Sequence, residues 1–118
     1  MRVSDDWKPV EVTRPRGGGT IVLVCEHASP VIPAEFEGLG LSPEAAVSHA
    51  AWDIGALQVA QTLSAGLDAP LVAGGISRLV YDLNRPLEAH DAIPERSEIY
   101  PVPGNVGLTE AQRKARFD

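Results

Sequence analysis

The amino-acid sequence predicts an α/β fold with a parallel sheet, and three observations point to it. A β-branched apolar run at 20–25 (TIVLVC) is typical of a buried strand. An amphipathic segment over 42–65 is typical of a helix, and two further short apolar runs follow it. Polar side chains cluster where the predicted strands end, which is where open α/β sheets bind their ligands.

The composition fits one domain and excludes several classes of partner. The chain has 118 residues, with 10 Lys plus Arg against 16 Asp plus Glu and a formal net charge of −6. A nucleic acid or an anionic membrane surface would need a basic face, so neither partner is expected. The single cysteine, Cys25, excludes an internal disulfide and a cysteine-cluster zinc site, and it favours a reducing, cytoplasmic location. No run of about 20 apolar residues is present that could span a membrane.

The N-terminal region divides into a leader and a strand. Residues 1–19 are polar and end in three consecutive glycines, so we predict a flexible leader there and the folded domain over 20–118. The strand at 20–25 is continuously apolar, which predicts burial on both of its faces. Prolines, glycines and acidic residues at 30–41 predict a loop.

The first helix has a clear start signal. The Ser-Pro-Glu sequence at 42–44 supplies an N-cap, a first-turn proline and a first-turn acid. We predict that this helix continues to about residue 65 and stops at Gly66. His49 and Asp53 lie four residues apart, so they are expected to share one helix face and to pair. The predicted buried stripe comprises Ala46, Ala50, Ile54 and Leu57.

Two more strands and a second helix complete the predicted elements. Strands are predicted at 69–73 (APLVA) and 78–83 (RLVYDL), followed by a long proline-rich loop at 86–105. Thr109 with Gln112 predicts a capping box that opens the last helix. Because three strands and one full helix leave one sheet face uncovered, we expect this chain to be part of a larger fold. The uncovered face would favour self-association.

Polar residues near the strand ends are the candidate site residues. They form three groups: Glu26 with His27, His49 with Asp53, and Asp82 with Asn84 and Arg85. An imidazole together with a carboxylate suits zinc with one position left for water. Arg78 and Arg85 are suited to clamping a carboxylate. Each residue also has a simpler interpretation. His27 would be a hydrogen-bonded loop histidine, Asp53 the partner of His49, and the arginines salt-bridge partners of the many acids.

Other reactive side chains give weaker signals. Cys25 lies inside an apolar run, which predicts a small buried hydrophobe rather than a nucleophile. Ser29 lacks the G-x-S-x-G context of a serine nucleophile. The sequence contains neither a Walker A loop nor G-x-G-x-x-G, which argues against nucleotide binding. No catalytic base is assigned.

Three separate blocks carry a more specific signal when they are taken together. They read VLVCEHAS at 22–29, HAAWDIGA at 49–56 and SRLVYDLNRP at 77–86. Ile32-Pro33 after the first block, and Ile93-Pro94, Ser97 and Pro103-Gly104-Asn105 later in the chain, fit the same pattern. In order and spacing, these blocks resemble the N-formylglutamate amidohydrolase family over about residues 20–116.

The resemblance implies a three-layer α/β/α sandwich of the zinc-carboxypeptidase-like type, incomplete in this chain. It implies zinc-dependent hydrolysis of the formyl amide of N-formyl-L-glutamate to formate and glutamate, the last step of one route of histidine degradation. It implies His27 and Asp53 as zinc ligands, with Glu26 as a weaker candidate. The small-molecule partner would then be an N-formyl amino acid. The residues implied to bind its carboxylates are Arg78, Asn84 and Arg85.

Family members are about twice as long and carry a further histidine block, so we expect this chain to be the N-terminal half of such a protein. Two other functions stay open at this stage. One is a truncated, non-catalytic α/β module that binds an acidic metabolite or a partner chain. The other is a different hydrolase of the wider zinc-peptidase type, such as a deacylase. Metal content and turnover distinguish these functions.

Overall fold

A computed structural model describes residues 7–118. Over this range it contains a three-stranded sheet, a two-stranded hairpin, three α-helices and two 3-10 segments. The fold is therefore mixed α/β, as the sequence predicts. Within the described residues, no helix is long and apolar enough to cross a membrane.

The main sheet has the strand order β1-β3-β2. Strand β1 spans Val10–Thr13, β2 spans Leu23–Cys25 and β3 spans Leu71–Gly74. The central strand β3 runs parallel to β2 and antiparallel to β1. The predicted strands at 20–25 and 69–73 thus correspond to β2 and β3, each shifted toward its C-terminal end.

Two of the strand predictions differ from the structure. Residues 10–13 of the predicted leader form β1, paired with β3 over four residues, while residues 1–6 lie outside the described part of the chain. The third predicted strand, at 78–83, is wrong because this segment forms turns rather than a strand. The third strand is instead β1, which reaches the sheet through a long-range contact that no local pattern reveals.

The single helix predicted over 42–65 is wrong, because the chain forms two helices there. Helix α1 spans Pro43–Val47 and helix α2 spans Ala56–Leu67. Ser42 caps α1 as predicted, with its hydroxyl accepting the Ala45 N–H at 3.2 Å. The Ser48 hydroxyl then donates to the carbonyl of Ala45 at 2.9 Å and accepts the N–H of Ala50, so it competes with the helix backbone and ends α1.

Helix α2 begins and ends at left-handed residues. Gly55 precedes it with φ 86°, and Asp68 closes it with φ 48°. Gly66, the predicted stop, lies within the helix. The predicted apolar stripe of Ala46, Ala50, Ile54 and Leu57 is only partly buried, because the helix is broken between its members. Ile54, in the connecting segment, is exposed.

Helix α2 covers one face of the sheet and leaves the other open. Cys25, Leu71 and Ala73 are buried beneath it, together with partly buried side chains of the helix. Cys25 is therefore a small core residue, as predicted, and burial raises the pKa of its thiol. The opposite face carries four valines, which we call the valine face: Val12, Val72 and Val24 lie side by side across the three strands, and Val10 lies two residues before Val12 on β1, opposite Gly74. Three of its members, Val10, Val12 and Val24, are exposed. Burial of β2 on both faces, predicted from its apolar sequence, is thus wrong here.

The C-terminal part of the chain contains a hairpin, a 3-10 turn and a helix. The predicted loop at 86–105 contains a short hairpin of β4, Arg96–Ser97, and β5, Tyr100–Pro101, followed by a 3-10 turn at Pro103–Asn105. Helix α3 spans Glu110–Phe117. The capping box of Thr109 and Gln112 at its start is confirmed.

The predicted loop at 30–41 also has internal structure. A 3-10 segment spans Ala34–Gly40, and its backbone turns left-handed at Glu37, Gly38 and Leu39. The Leu39 side chain is buried in a core shared with Leu79, Val80 and Val102.

Candidate active site

His27 lies between two carboxylates just beyond the carboxyl end of β2. Its Nδ1 is 3.1 Å from Oδ2 of Asp53, and its Nε2 is 2.6 Å from Oδ1 of Asp82. The imidazole is only 10% exposed. Because both ring nitrogens face carboxylate oxygens, a protonated ring donates two hydrogen bonds here and a neutral ring donates one.

The break between α1 and α2 brings Asp53 to this position. The Asp53 N–H donates to the carbonyl of His27 at 2.9 Å, which ties the connecting segment to the end of β2. His49 lies elsewhere, with its Nε2 3.9 Å from Oε1 of Glu98 and both side chains exposed. The predicted pairing of His49 with Asp53 is wrong because no helix spans the two residues.

Asp82 is the most buried acid of the site, with its side chain 5% exposed. Its carboxylate accepts the N–H of Asn84 at 3.0 Å and the Nε–H of Arg85 at 3.1 Å. Burial alone would raise the pKa of Asp82. The hydrogen bonds from His27, Asn84 and Arg85 hold the pKa below its ordinary value, so this carboxylate stays ionised. The sequence analysis did not assign Asp82, although its place in the third block was a signal.

The turn at 82–85 brings two charged side chains together. In a strand, residues 82 and 85 would face opposite sides of the sheet. Here the Arg85 N–H donates to the carbonyl of Asp82 at 3.0 Å, and the turn brings the guanidinium back onto the carboxylate. The Tyr81 hydroxyl donates to the carbonyl of Arg85 at 2.9 Å and anchors the same turn.

The two arginines link the acids and keep part of their surface in water. The Nη1 atom of Arg78 lies 3.3 Å from Oδ1 of Asp53, and its Nη2 atom lies 3.5 Å from Oδ2 of Asp82. The Nη1 atom of Arg85 lies 2.9 Å from Oδ2 of Asp91. The arginine side chains are 28% and 43% exposed, respectively. Both arginines contact the acids that flank His27, so each already has carboxylate partners. Asn84 contributes its backbone N–H to Asp82 and is itself exposed.

The donors around His27 fit zinc in chemical type, and they supply part of a ligand set. A catalytic zinc takes three protein ligands and a water. Among residues 7–118, no group of three or more His, Cys, Asp or Glu side chains is arranged to hold a metal ion. His27 and Asp53 offer one nitrogen and one carboxylate. Asp82, on the other ring nitrogen, matches the carboxylate partner that zinc-binding histidines commonly have.

The fold and the site define a mixed α/β chain in which a histidine, two acids and two arginines lie together beyond a strand end. The family model for N-formylglutamate amidohydrolase matches residues 19–118. The chain belongs to this family, as the three sequence blocks predict.

A solved structure gives the same result for the fold. The crystal structure of a gene product from Agrobacterium tumefaciens is 53% identical to this chain, with a TM-score of 0.90. The match covers 92% of this chain and 43% of that one, so the chain spans less than half the length of this relative. No curated protein matches the chain.

Proposed function

We propose that this chain forms part of an active site that hydrolyses the formyl amide of N-formyl-L-glutamate, or of a related N-acyl amino acid. The products would be formate and glutamate, as in the last step of one route of histidine degradation. The observation that carries the proposal is the contact of His27 with both Asp53 and Asp82, which orients the imidazole. The family match supports the same reaction.

The arginines suit a substrate that carries carboxylates. Arg78 and Arg85 contact the acids, and their side chains remain 28% and 43% exposed, respectively. Their inner nitrogens are held by Asp53 and Asp82, which fixes the direction of the planar groups and lowers the entropy lost when a substrate binds. The exposed Asn84 amide would add a neutral donor beside them. These three residues would orient the acid end of the substrate and leave the formyl group toward His27.

His27 Nδ1 and Asp53 are the residues that would hold zinc in this proposal, with a further ligand from outside the described residues. Zinc supplies a bound water of lowered pKa and polarises a carbonyl. Asp82 would keep the proton on Nε2, which leaves the Nδ1 lone pair for the metal. In the complete protein we propose a three-layer α/β/α sandwich of the zinc-carboxypeptidase type in a reducing, cytoplasmic compartment.

The test compares two histidines of the same chain. Zinc stoichiometry and affinity are measured by elemental analysis and calorimetry for the wild type, for His27→Ala and for His49→Ala. We expect His27→Ala to lose zinc binding. His49→Ala should retain it, because this exposed side chain contacts Glu98 rather than the site. Equal zinc binding in the two variants would contradict the assignment.

Substrate class needs a separate assay. Release of the acyl group is followed with N-formyl-L-glutamate, N-formyl-L-leucine and N-acetyl-L-glutamate. Preference for the first compound would support recognition of both the formyl group and the acidic side chain. Preference for N-acetyl-L-glutamate would indicate a deacylase instead.

The partial ligand set favours a second candidate, a non-catalytic module that binds an acidic metabolite. Such a module would bind glutamate derivatives in the presence of a chelator and would lose that binding in Arg85→Ala. The proposed enzyme, by contrast, would lose turnover on chelation. Calorimetry with and without chelator therefore separates the two functions.

A further inference from the structure

The segment that leads into Asp82 is buried and irregular. Leu79 and Val80 are almost completely inaccessible, yet residues 78–83 belong to no strand. Buried carbonyl groups outside a sheet need other hydrogen-bond donors. The side chains that satisfy these carbonyls therefore determine where the segment lies.

Two side chains from the C-terminal part of the chain supply those donors. The Asn105 amide donates to the carbonyl of Leu79 at 2.8 Å. The Arg116 guanidinium donates to the carbonyl of Val80 at 3.1 Å. These two side chains thus hold consecutive peptide groups, and the Asp82 N–H donates to the carbonyl of Ala92 at 2.8 Å just beyond them.

Asn105 is itself fixed at every polar atom of its side chain. It is 3% exposed, and its amide nitrogen also donates to the carbonyl of Pro94 at 2.6 Å. Its amide oxygen accepts from Arg116 at 2.6 Å. Arg116 is held in turn by the carbonyl of Gly104 at 3.3 Å and lies 4.8 Å from the ring centre of Phe36. This saturated network allows one orientation of the amide.

We infer that Asn105 and Arg116 are positioning residues of the site. By holding the carbonyls of Leu79 and Val80, they fix the backbone before Asp82 and thereby its 2.6 Å contact with His27. Neither residue touches His27. A displacement of about 1 Å at Asp82 would stretch this contact to the limit of a hydrogen bond, so a small shift in the segment would break it.

The inference rests on the proposed function only where it calls the site catalytic. The His27–Asp82 contact itself can be measured without substrate. In chelator-treated, ¹⁵N-labelled protein, an imidazole Nε2–H bonded to a carboxylate gives a downfield proton resonance. A His27→Gln variant assigns that resonance. It is then recorded in Asn105→Asp, which keeps the side-chain size and loses both amide donors, and in Arg116→Gln.

The matched control is Arg113→Gln, which removes the same charge one turn earlier on α3. We expect the His27 resonance to persist in the wild type and in the control, and to disappear or move upfield in Asn105→Asp and Arg116→Gln. Arg116→Lys, which keeps a charged donor, should recover part of the signal. An unchanged resonance in a folded Asn105→Asp or Arg116→Gln protein would overturn the inference.

Folding and activity are read separately. If circular dichroism shows that Asn105→Asp does not fold, Arg116→Gln decides, because Arg116 lies on the terminal helix and its loss empties no core position. Where turnover is measurable, both variants should lower kcat by on the order of 10- to 100-fold with a smaller change in KM. The resonance test needs no turnover, so it separates a failure of this inference from a failure of the proposed function.

Discussion

Replacing Asp82 by asparagine removes the charge at the centre of the site and keeps the size of the side chain. The carboxylate contacts four groups, at 2.6 Å from His27, 3.0 Å from the Asn84 N–H, 3.1 Å from Arg85 and 3.5 Å from Arg78. A hydrogen bond to a charged group contributes about 1.5–3 kcal/mol, and breaking a fully buried ion pair costs about 3–5 kcal/mol. Since both arginines remain partly in water, the lower range applies. We expect Asp82→Asn to lower the free energy of unfolding by about 2–3 kcal/mol at pH 7.

The chain offers a matched control at Asp91. This acid also pairs with Arg85, at 2.9 Å, but its side chain is 38% exposed. Asp91→Asn should therefore cost no more than about 1 kcal/mol. Urea unfolding followed by tryptophan fluorescence measures both. With a slope of about 1–3 kcal/mol/M, Asp82→Asn should lower the midpoint by roughly 1–2 M. Equal midpoints for the two variants would refute the view that the buried carboxylate organises the site.

Four further predictions rest on the packing and the charges. The pKa of Asp82 lies below the unfolded value of 3.8, so its stabilisation is complete above that pH and is lost as pH falls through the lower folded pKa. Acid titration of stability should therefore be shallower in Asp82→Asn, and an unchanged slope would contradict this. We predict self-association through the valine face, which Val24→Lys should reduce in sedimentation experiments; unchanged sedimentation of this variant would contradict that prediction. Gly104→Ala would place a methyl group 2.6 Å from Cα of Leu39 and should cost about 1–3 kcal/mol in thermal unfolding. Gly66→Ala, in open space on α2, should instead stabilise by about 0.5–1 kcal/mol.

Local signals predicted the elements that depend on neighbouring residues. The Ser42 cap and the Thr109–Gln112 box were confirmed, because each is a contact within one helical turn. The helix over 42–65 was wrong for a related reason. The periodic apolar stripe indicated one helix, but the Ser48 hydroxyl competes with the backbone and Gly55 adopts a left-handed conformation. Hydrophobic spacing does not weigh such side-chain competition.

For the candidate site, the sequence indicated individual residues but not how they are arranged. The sequence singled out His27, Asp53 and the two arginines, and the structure brings them together. It did not assign Asp82, because a strand at 78–83 would have made this residue one polar side chain among several. The turn that brings Arg85 back onto Asp82 is seen in the folded structure and was not predicted from the sequence pattern.

The sequence by itself determined the family, through three blocks whose order and spacing are visible without any structure, and it singled out His27, Asp53, Arg78 and Arg85 as candidate site residues. The tertiary structure alone decided that β1 joins the sheet, that Asp82 holds His27, and that Asn105 and Arg116 hold the segment before it. His27 and Asp82 are 55 positions apart in the sequence, and Asn105 and Leu79 are 26 positions apart. Helical and strand periodicities report only on the first few neighbours along the chain. Which distant groups meet depends on how buried polar atoms are satisfied once the whole core has formed.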